Sequence, residues 1–150
     1  MENVDLLKKV RIFQGLTEEE LNKFAAITSE EQSPPKSILL EEGVEGQALY
    51  IIKRGAVTVY KVKNDSLTEL AKLPAGEAFG EMSLLEATLT SARVTANNEV
   101  ECLLISRDLF LDLLERDLSI AAKVYKNFTL ILSERLRQTS AELARCKPEP

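Results

Sequence analysis

From residue 34 to about residue 105 the chain is a succession of short apolar runs separated by turn residues, which predicts an antiparallel sheet structure. Pro34-Pro35 stops any helix and starts extended backbone. Ser37-Ile38-Leu39-Leu40 leads into a turn-rich stretch, Glu41-Glu42-Gly43 and Glu45-Gly46. Leu49-Tyr50-Ile51-Ile52 forms a compact apolar strand, and Arg54-Gly55 turns the chain into the alternating run Ala56-Val57-Thr58-Val59-Tyr60. Asn64-Asp65 marks a hairpin tip before Leu67-Thr68-Glu69-Leu70-Ala71. Strands this short, with glycine at the corners, fit a closed or double-sheet antiparallel roll.

Helices flank the roll. Leu6, Leu7, Val10 and Phe13 recur at helical steps, and Gly15-Leu16 breaks the pattern. Thr17-Glu18-Glu19-Glu20 reads as a capping box opening a second helix through Leu21, Phe24, Ala25 and Ile27. After Ile105, Ser106 caps a helix carrying Leu109, Phe110, Leu113 and Leu114. Asp117 begins another that runs to about Cys146, with Pro148 as its stop. Roughly 30 residues at about 1.5 Å each make that helix about 45 Å long. With 150 residues, no internal repeat and no low-complexity linker, the expectation is one domain over 1–150. It divides into N-terminal helices (1–33), the roll (34–105) and C-terminal helices (106–147).

Composition removes whole classes of function. The chain has no histidine and two cysteines, Cys102 in an apolar run and Cys146 near the end. A zinc site is therefore not expected, and neither is a catalytic triad or any other enzyme chemistry. A net charge of −5 argues against binding nucleic acid or anionic membrane. There is no signal-peptide pattern at the start and no apolar run long enough to span a bilayer, so a cytoplasmic location is expected.

The stretch Pro74-Ala75-Gly76-Glu77-Ala78-Phe79-Gly80-Glu81-Met82-Ser83-Leu84-Leu85 interrupts the β pattern. Two glycines precede a short helical piece, an arrangement that brings backbone N–H groups close to an anion. Phe79-Gly80-Glu81-Met82-Ser83-Leu84-Leu85, followed by Ser91-Ala92 and Val94, resembles the phosphate-binding cassette of the cyclic-nucleotide-binding domain family. The likeness extends to Phe13-Gln14-Gly15-Leu16-Thr17, Ile38-Leu39-Leu40-Glu41-Glu42-Gly43, Leu49-Tyr50-Ile51-Ile52 with Gly55, and the segment from Leu104 to Phe110. The whole is similar to the sensor domains of the catabolite activator (Crp/Fnr-like) type. That resemblance implies an α+β, mainly β fold: an antiparallel β-roll of the jelly-roll (double-stranded β-helix) kind, flanked by N-terminal helices and a long C-terminal helix.

It also implies a site, with its cassette over 76–93. Glu81 would accept a hydrogen bond from a ribose 2′-hydroxyl, and Gly80, behind Phe79, would let the backbone approach the sugar-phosphate. The N–H groups of Met82 and Ser83 would point at a cyclic phosphate, which Ser91 and Ala92 would close from the other side. The ligand would be a cyclic nucleotide, cAMP in the first instance, with no other cofactor. One departure stands out: the family's phosphate-pairing arginine is replaced by Thr90. Loss of a charge-assisted hydrogen bond is worth roughly 1.5–3 kcal/mol, about ten- to a hundred-fold in affinity. The next cation, Arg93, shares a side with Ser91 on an extended chain and could reach the phosphate or a base edge; it could equally point to solvent or pair with a glutamate.

In the last helix, Arg135-Leu136-Arg137-Gln138-Thr139-Ser140 resembles the family's long helix, so Thr139 and Ser140 would meet the base across a dimer. Tyr125, Phe128, Leu132, Leu136, Thr139 and Leu143, with Val124 and Ile131 beside them, suit either a parallel coiled-coil homodimer or a helix lying on its own roll. No helix-turn-helix follows before Lys147-Pro148-Glu149-Pro150, so direct DNA binding is not expected. The expectation is a sensor, free-standing or a fragment of something larger, that acts on a protein partner and couples ligand binding to movement of the last helix. The alternative is a module that kept the fold, lost the nucleotide and serves for dimerisation or docking.

Overall fold

A computed structural model describes residues 2–85 and 89–146; Glu86 within the cassette and Pro148 at the expected helix stop lie outside the described residues. The N-terminal segment forms α1 (Asn3–Lys8), a 3-10 turn (Arg11–Phe13) and α2 (Glu18–Ala25). Eight strands follow: β1 (Ser29–Ser33), β2 (Ile38–Leu40), β3 (Ala48–Arg54), β4 (Val57–Lys63), β5 (Ser66–Leu73), β6 (Ala78–Phe79), β7 (Arg93–Ala96) and β8 (Val100–Ser106). The chain ends in α3 (Arg107–Arg116) and α4 (Leu118–Cys146). Two four-stranded antiparallel sheets, in the orders β1-β8-β3-β6 and β2-β7-β4-β5, make the roll.

Strand alternation explains why the central runs are apolar throughout. On β3, Leu49 and Ile51 join Phe13, Phe24, Phe110 and the α4 residues Ile120, Val124 and Phe128 in one core under the helices. Ile52 faces the other way, into a second core between the sheets with Val57, Phe79, Val94 and Cys102. A strand covered on both faces has no polar side to show. Burial pushes the Cys102 thiol up to about 12, so it packs as a small hydrophobe.

The structure departs from the sequence reading at two edges. The first helix ends at Lys8, and Ile12 and Phe13 reach the core from a separate 3-10 turn. Extended structure starts at Ser29, ahead of Pro34-Pro35: Ser-Glu-Glu-Gln-Ser carries no apolar alternation because β1 is an exposed edge strand held by backbone bonds to β8. Among the described residues no helix is long and apolar enough to cross a membrane.

Two carboxylates fix the start of the long helix: Asp117, which accepts from the Ile120 N–H at 3.1 Å and pairs with Lys23 at 2.8 Å, and the more deeply buried Glu20. Thr17 and Glu20 form the expected capping box, with the Thr17 N–H donating to Glu20 Oε1 at 2.9 Å and the Glu20 N–H to Thr17 Oγ1 at 3.1 Å. Glu20 is only 7% exposed and also accepts from Ser119 Oγ (2.9 Å) and Lys123 Nζ (2.6 Å) of α4. The Lys123 hydrogen bond, reinforced by the Thr17 N–H, lowers its pKa to about 2. A folded-state pKa below the unfolded value stabilises the protein above the unfolded pKa, and that stability is lost as pH falls through the folded one. Replacing Glu20 by Gln should therefore cost roughly 1.5–3 kcal/mol at pH 7. Urea titrations of both proteins should show this gap closing between pH 4.5 and pH 2; a gap independent of pH would contradict the assignment.

Candidate functional site

Where β6 ends, Gly80 takes φ 85° and ψ 5°, a left-handed conformation that starts the 3-10 turn Glu81–Ser83. A Cβ on Gly80 would lie 2.8 Å from the carbonyl oxygen of Ala48, so glycine is needed here for backbone conformation and for space. Gly46 is needed for space alone: a Cβ there would fall 2.2 Å from the Ser83 side chain, which packs on its bare backbone. Phe79 pairs opposite Tyr50, their rings stacked at 4.8 Å and 7°.

These elements wall a cavity of about 270 Å³. The turn contributes Phe79, Gly80, Glu81, Met82 and Ser83, and the segment entering β7 contributes Thr90, Ser91 and Ala92. Leu40, Val59, Leu73, Ala78 and Val94 supply an apolar lining. Eight of the eleven residues expected at the site thus border one cavity; Arg93, Thr139 and Ser140 do not. Thr139 and Ser140 lie exposed on α4. The Ser83 N–H donates to the Gly80 carbonyl at 3.3 Å, closing the 3-10 turn.

Arg93 stands on the other side of its sheet. Leu40 and Val94 pair across β2 and β7 and both line the cavity, so their neighbours Glu41 and Arg93 face outward. There Arg93 Nε meets Glu41 Oε1 at 2.8 Å, a contact that lowers the carboxylate's pKa and raises that of the guanidinium. The expected alignment of Arg93 with Ser91 fails because Ser91 precedes β7, where strand alternation does not apply.

Thr90 is built into the cavity wall. It is 7% exposed, and its hydroxyl donates to the Glu41 carbonyl and accepts from the Val44 N–H at 3.3 Å. Its N–H donates to the Val44 carbonyl at 2.7 Å, and its own carbonyl accepts from the Gly43 N–H at 3.0 Å. The residue that departs from the family pattern is thus the clasp of the 41–44 turn.

Two cations absent from the sequence reading of the site come close to it. Arg135 lines the cavity, and its Nη2 donates to Glu81 Oε1 at 2.5 Å. It extends the inward stripe Val124, Phe128, Ile131 by one more four-residue step, a signal the periodicity carries. Lys61 Nζ donates to the Ser91 carbonyl at 3.0 Å and pairs with Glu42 Oε1 at 2.6 Å. A second cavity of about 260 Å³, lined in part by Lys9, Arg11 and Ile131, shares Leu73, Ala78, Glu81 and Arg135 with the first.

Chemically the site offers an acceptor carboxylate, two hydroxyls, a cation and an apolar wall, a set suited to holding a small polar molecule. Among the described residues, no group of three or more His, Cys, Asp or Glu side chains could hold a metal ion. Thr90→Val should cost roughly 1–3 kcal/mol in chemical denaturation, because it leaves the Val44 N–H and Glu41 carbonyl without the hydroxyl. Thr90→Ser should restore most of it, and equal stability of the Val variant and wild type would contradict the clasp.

The family model for the cyclic nucleotide-binding domain matches residues 30–117. The chain is 33% identical over 138 residues to a cyclic AMP receptor protein of Thermus thermophilus, covering 91% of this chain and 62% of that protein. It is 36% identical over 108 residues to a cGMP-dependent protein kinase of Eimeria tenella, covering 72% of this chain and 10% of the kinase. The chain therefore spans less than two thirds of the length of these relatives. Among solved structures, the Thermus thermophilus catabolite activator protein superposes with a TM-score of 0.79 at 32% identity, over 89% of this chain and 62% of that one. A cyclic nucleotide-binding domain from Methylobacillus flagellatus gives a TM-score of 0.78 at 26% identity, over 98% of this chain and 83% of that one.

Proposed function

The chain belongs to the cyclic nucleotide-binding domain family, and from that premise we propose that its cavity seats a cAMP-type nucleotide whose arrival repositions α4. The observation that carries this reading is the Glu81–Arg135 pair, which ties the cavity wall directly to the last helix. In this reading a ribose 2′-hydroxyl donates to Glu81 and competes with Arg135 for the carboxylate. The N–H groups of Met82 and Ala92 and the hydroxyls of Ser83 and Ser91 receive the phosphate, the Ser83 N–H being taken by the Gly80 carbonyl, and the apolar wall receives the rest. Release of Arg135 then leaves the exposed Arg11–Glu134 pair to hold α4 beyond Ile131, and the ligand shifts the helix by its difference in affinity for the two placements.

The outward face of α4 supports a homodimer. Buried Ile120, Val124, Phe128 and Ile131 hold the helix to its own domain, while Tyr125, Leu132, Leu136 and Leu143 are all exposed. With Thr129 and Thr139 between them, these residues alternate steps of four and three, the spacing of a coiled-coil seam. The two readings of the stripe thus belong to two faces of one helix. A parallel pair would carry Thr139 and Ser140 toward the partner's cavity, where they would meet the base.

Thermal unfolding with millimolar cAMP or cGMP tests the ligand. A hundred-fold excess over Kd adds about 2.7 kcal/mol to the folded state, a shift of roughly 5–10 °C for a domain of this size. Glu81→Ala should abolish the shift. No shift with either nucleotide would favour the docking module instead, the reading that Thr90 supports. For the dimer, sedimentation should show Leu132→Asp/Leu136→Asp as a monomer and the native chain as a dimer; a native monomer would refute the seam.

A further inference from the structure

The charges lining the cavity sum to zero among the described residues, so a cyclic phosphate would bring in one uncompensated negative charge. Among the described residues, Glu81 and Arg135 are the only charged ones lining the cavity, and they neutralise each other at 2.5 Å. A nucleotide carries one further negative charge into this neutral space, and an unpaired anion is costly to enclose. Arg93 is turned to the outer face by Glu41, and Thr90 brings no charge.

From the position of Lys61 at the cavity rim we infer that it supplies the missing counter-charge, taking the phosphate of the nucleotide; this rests on the cyclic-nucleotide reading above. Side chains two apart on a strand share a face, so Lys61 leaves β4 on the side of the cavity-lining Val59. Its ammonium already reaches the cassette, donating to the Ser91 carbonyl at 3.0 Å. Ser91 belongs to the segment that closes the cavity. The Lys61 side chain is 51% exposed, so its flexible stem can redirect the ammonium without desolvating it first.

Glu42 sets how readily that happens. One of its oxygens holds Lys61 at 2.6 Å, and the other accepts from the Val62 N–H at 2.6 Å. The backbone bond keeps the carboxylate in place when the lysine turns away. Nucleotide affinity is then governed by an exchange in which the Lys61 ammonium gives up Glu42 for the phosphate. Lys61 becomes the phosphate-binding residue and Glu42 its competitor.

Calorimetric titration of cAMP into the purified chain and four variants tests this. Lys61→Met should weaken binding by roughly ten-fold or more, the scale of one charge-assisted hydrogen bond. Lys61→Arg should stay within about three-fold of wild type, and Glu42→Gln should tighten binding, on the same scale. Lys63→Met removes the same charge from the same strand and should leave affinity within about two-fold, again judged on that scale. Wild-type binding with Lys61→Met unaffected, or with Lys63→Met equally weakened, would overturn the role of Lys61 and leave the nucleotide reading standing. A wild-type chain that does not bind cAMP would overturn the nucleotide reading and this inference with it.

Discussion

The Glu81–Arg135 ion pair is the contact on which the arrangement of this domain turns, because it is where the β-roll and the long helix share a charge. Neither partner is placed by accident. Glu81 stands where it does because Gly80 adopts a left-handed backbone that other residues rarely take and fits against the Ala48 carbonyl. Arg135 stands where it does because Ile120, Val124, Phe128 and Ile131 bury one face of α4 and leave the next inward step at the cavity mouth. At the other end of the inward stripe, Glu20 receives Ser119 and Lys123, so the start of α4 is held by a buried carboxylate. The helix is thus anchored firmly at its first turns, and near the cavity by two partly exposed ion pairs, Glu81–Arg135 and Arg11–Glu134. Surface ion pairs contribute little to stability, which makes this end the easier one to move.

α4 has two faces with separate tasks. One is spent on its own domain, and the other presents Tyr125, Leu132, Leu136 and Leu143 to whatever lies beyond. Under the proposed function a change at Arg135 would reach both. In the proposed dimer, freeing that residue alters the angle at which the outward face meets its twin, and a change confined to one cavity becomes a change in an interface.

Much of this was legible in the sequence, for identifiable reasons. The capping box at Thr17 and Glu20, the hairpin at Asn64-Asp65 and the reach of α4 follow from local chemistry that tertiary context did not override. The cassette residues could be placed together through the resemblance to the cyclic-nucleotide-binding family, since a glycine-rich turn alone fits many loops. Other features were hidden. β1 is polar throughout because pairing alone holds it, so no hydrophobic pattern announces it. Thr90 reads as a missing charge in the sequence, but its hydroxyl and backbone are committed to the 41–44 turn, a contact between segments far apart in the chain. Where Arg93 points was hidden for the same kind of reason, since which cation faces a cavity depends on strand register and on where carboxylates such as Glu41 fall opposite it. Arg135 alone could have been found, by extending the buried stripe of α4 one step further.

The claim that a ligand in the cavity is felt by the helix through Arg135 has a direct measurement: amide hydrogen exchange along α4, with and without saturating cAMP. The account predicts that exchange changes in the segment from about residue 131 to 140, while the Glu20-anchored turns around Ser119 and Lys123 stay as protected as before. Nucleotide bound at the cavity with no change in exchange anywhere on α4 would contradict it.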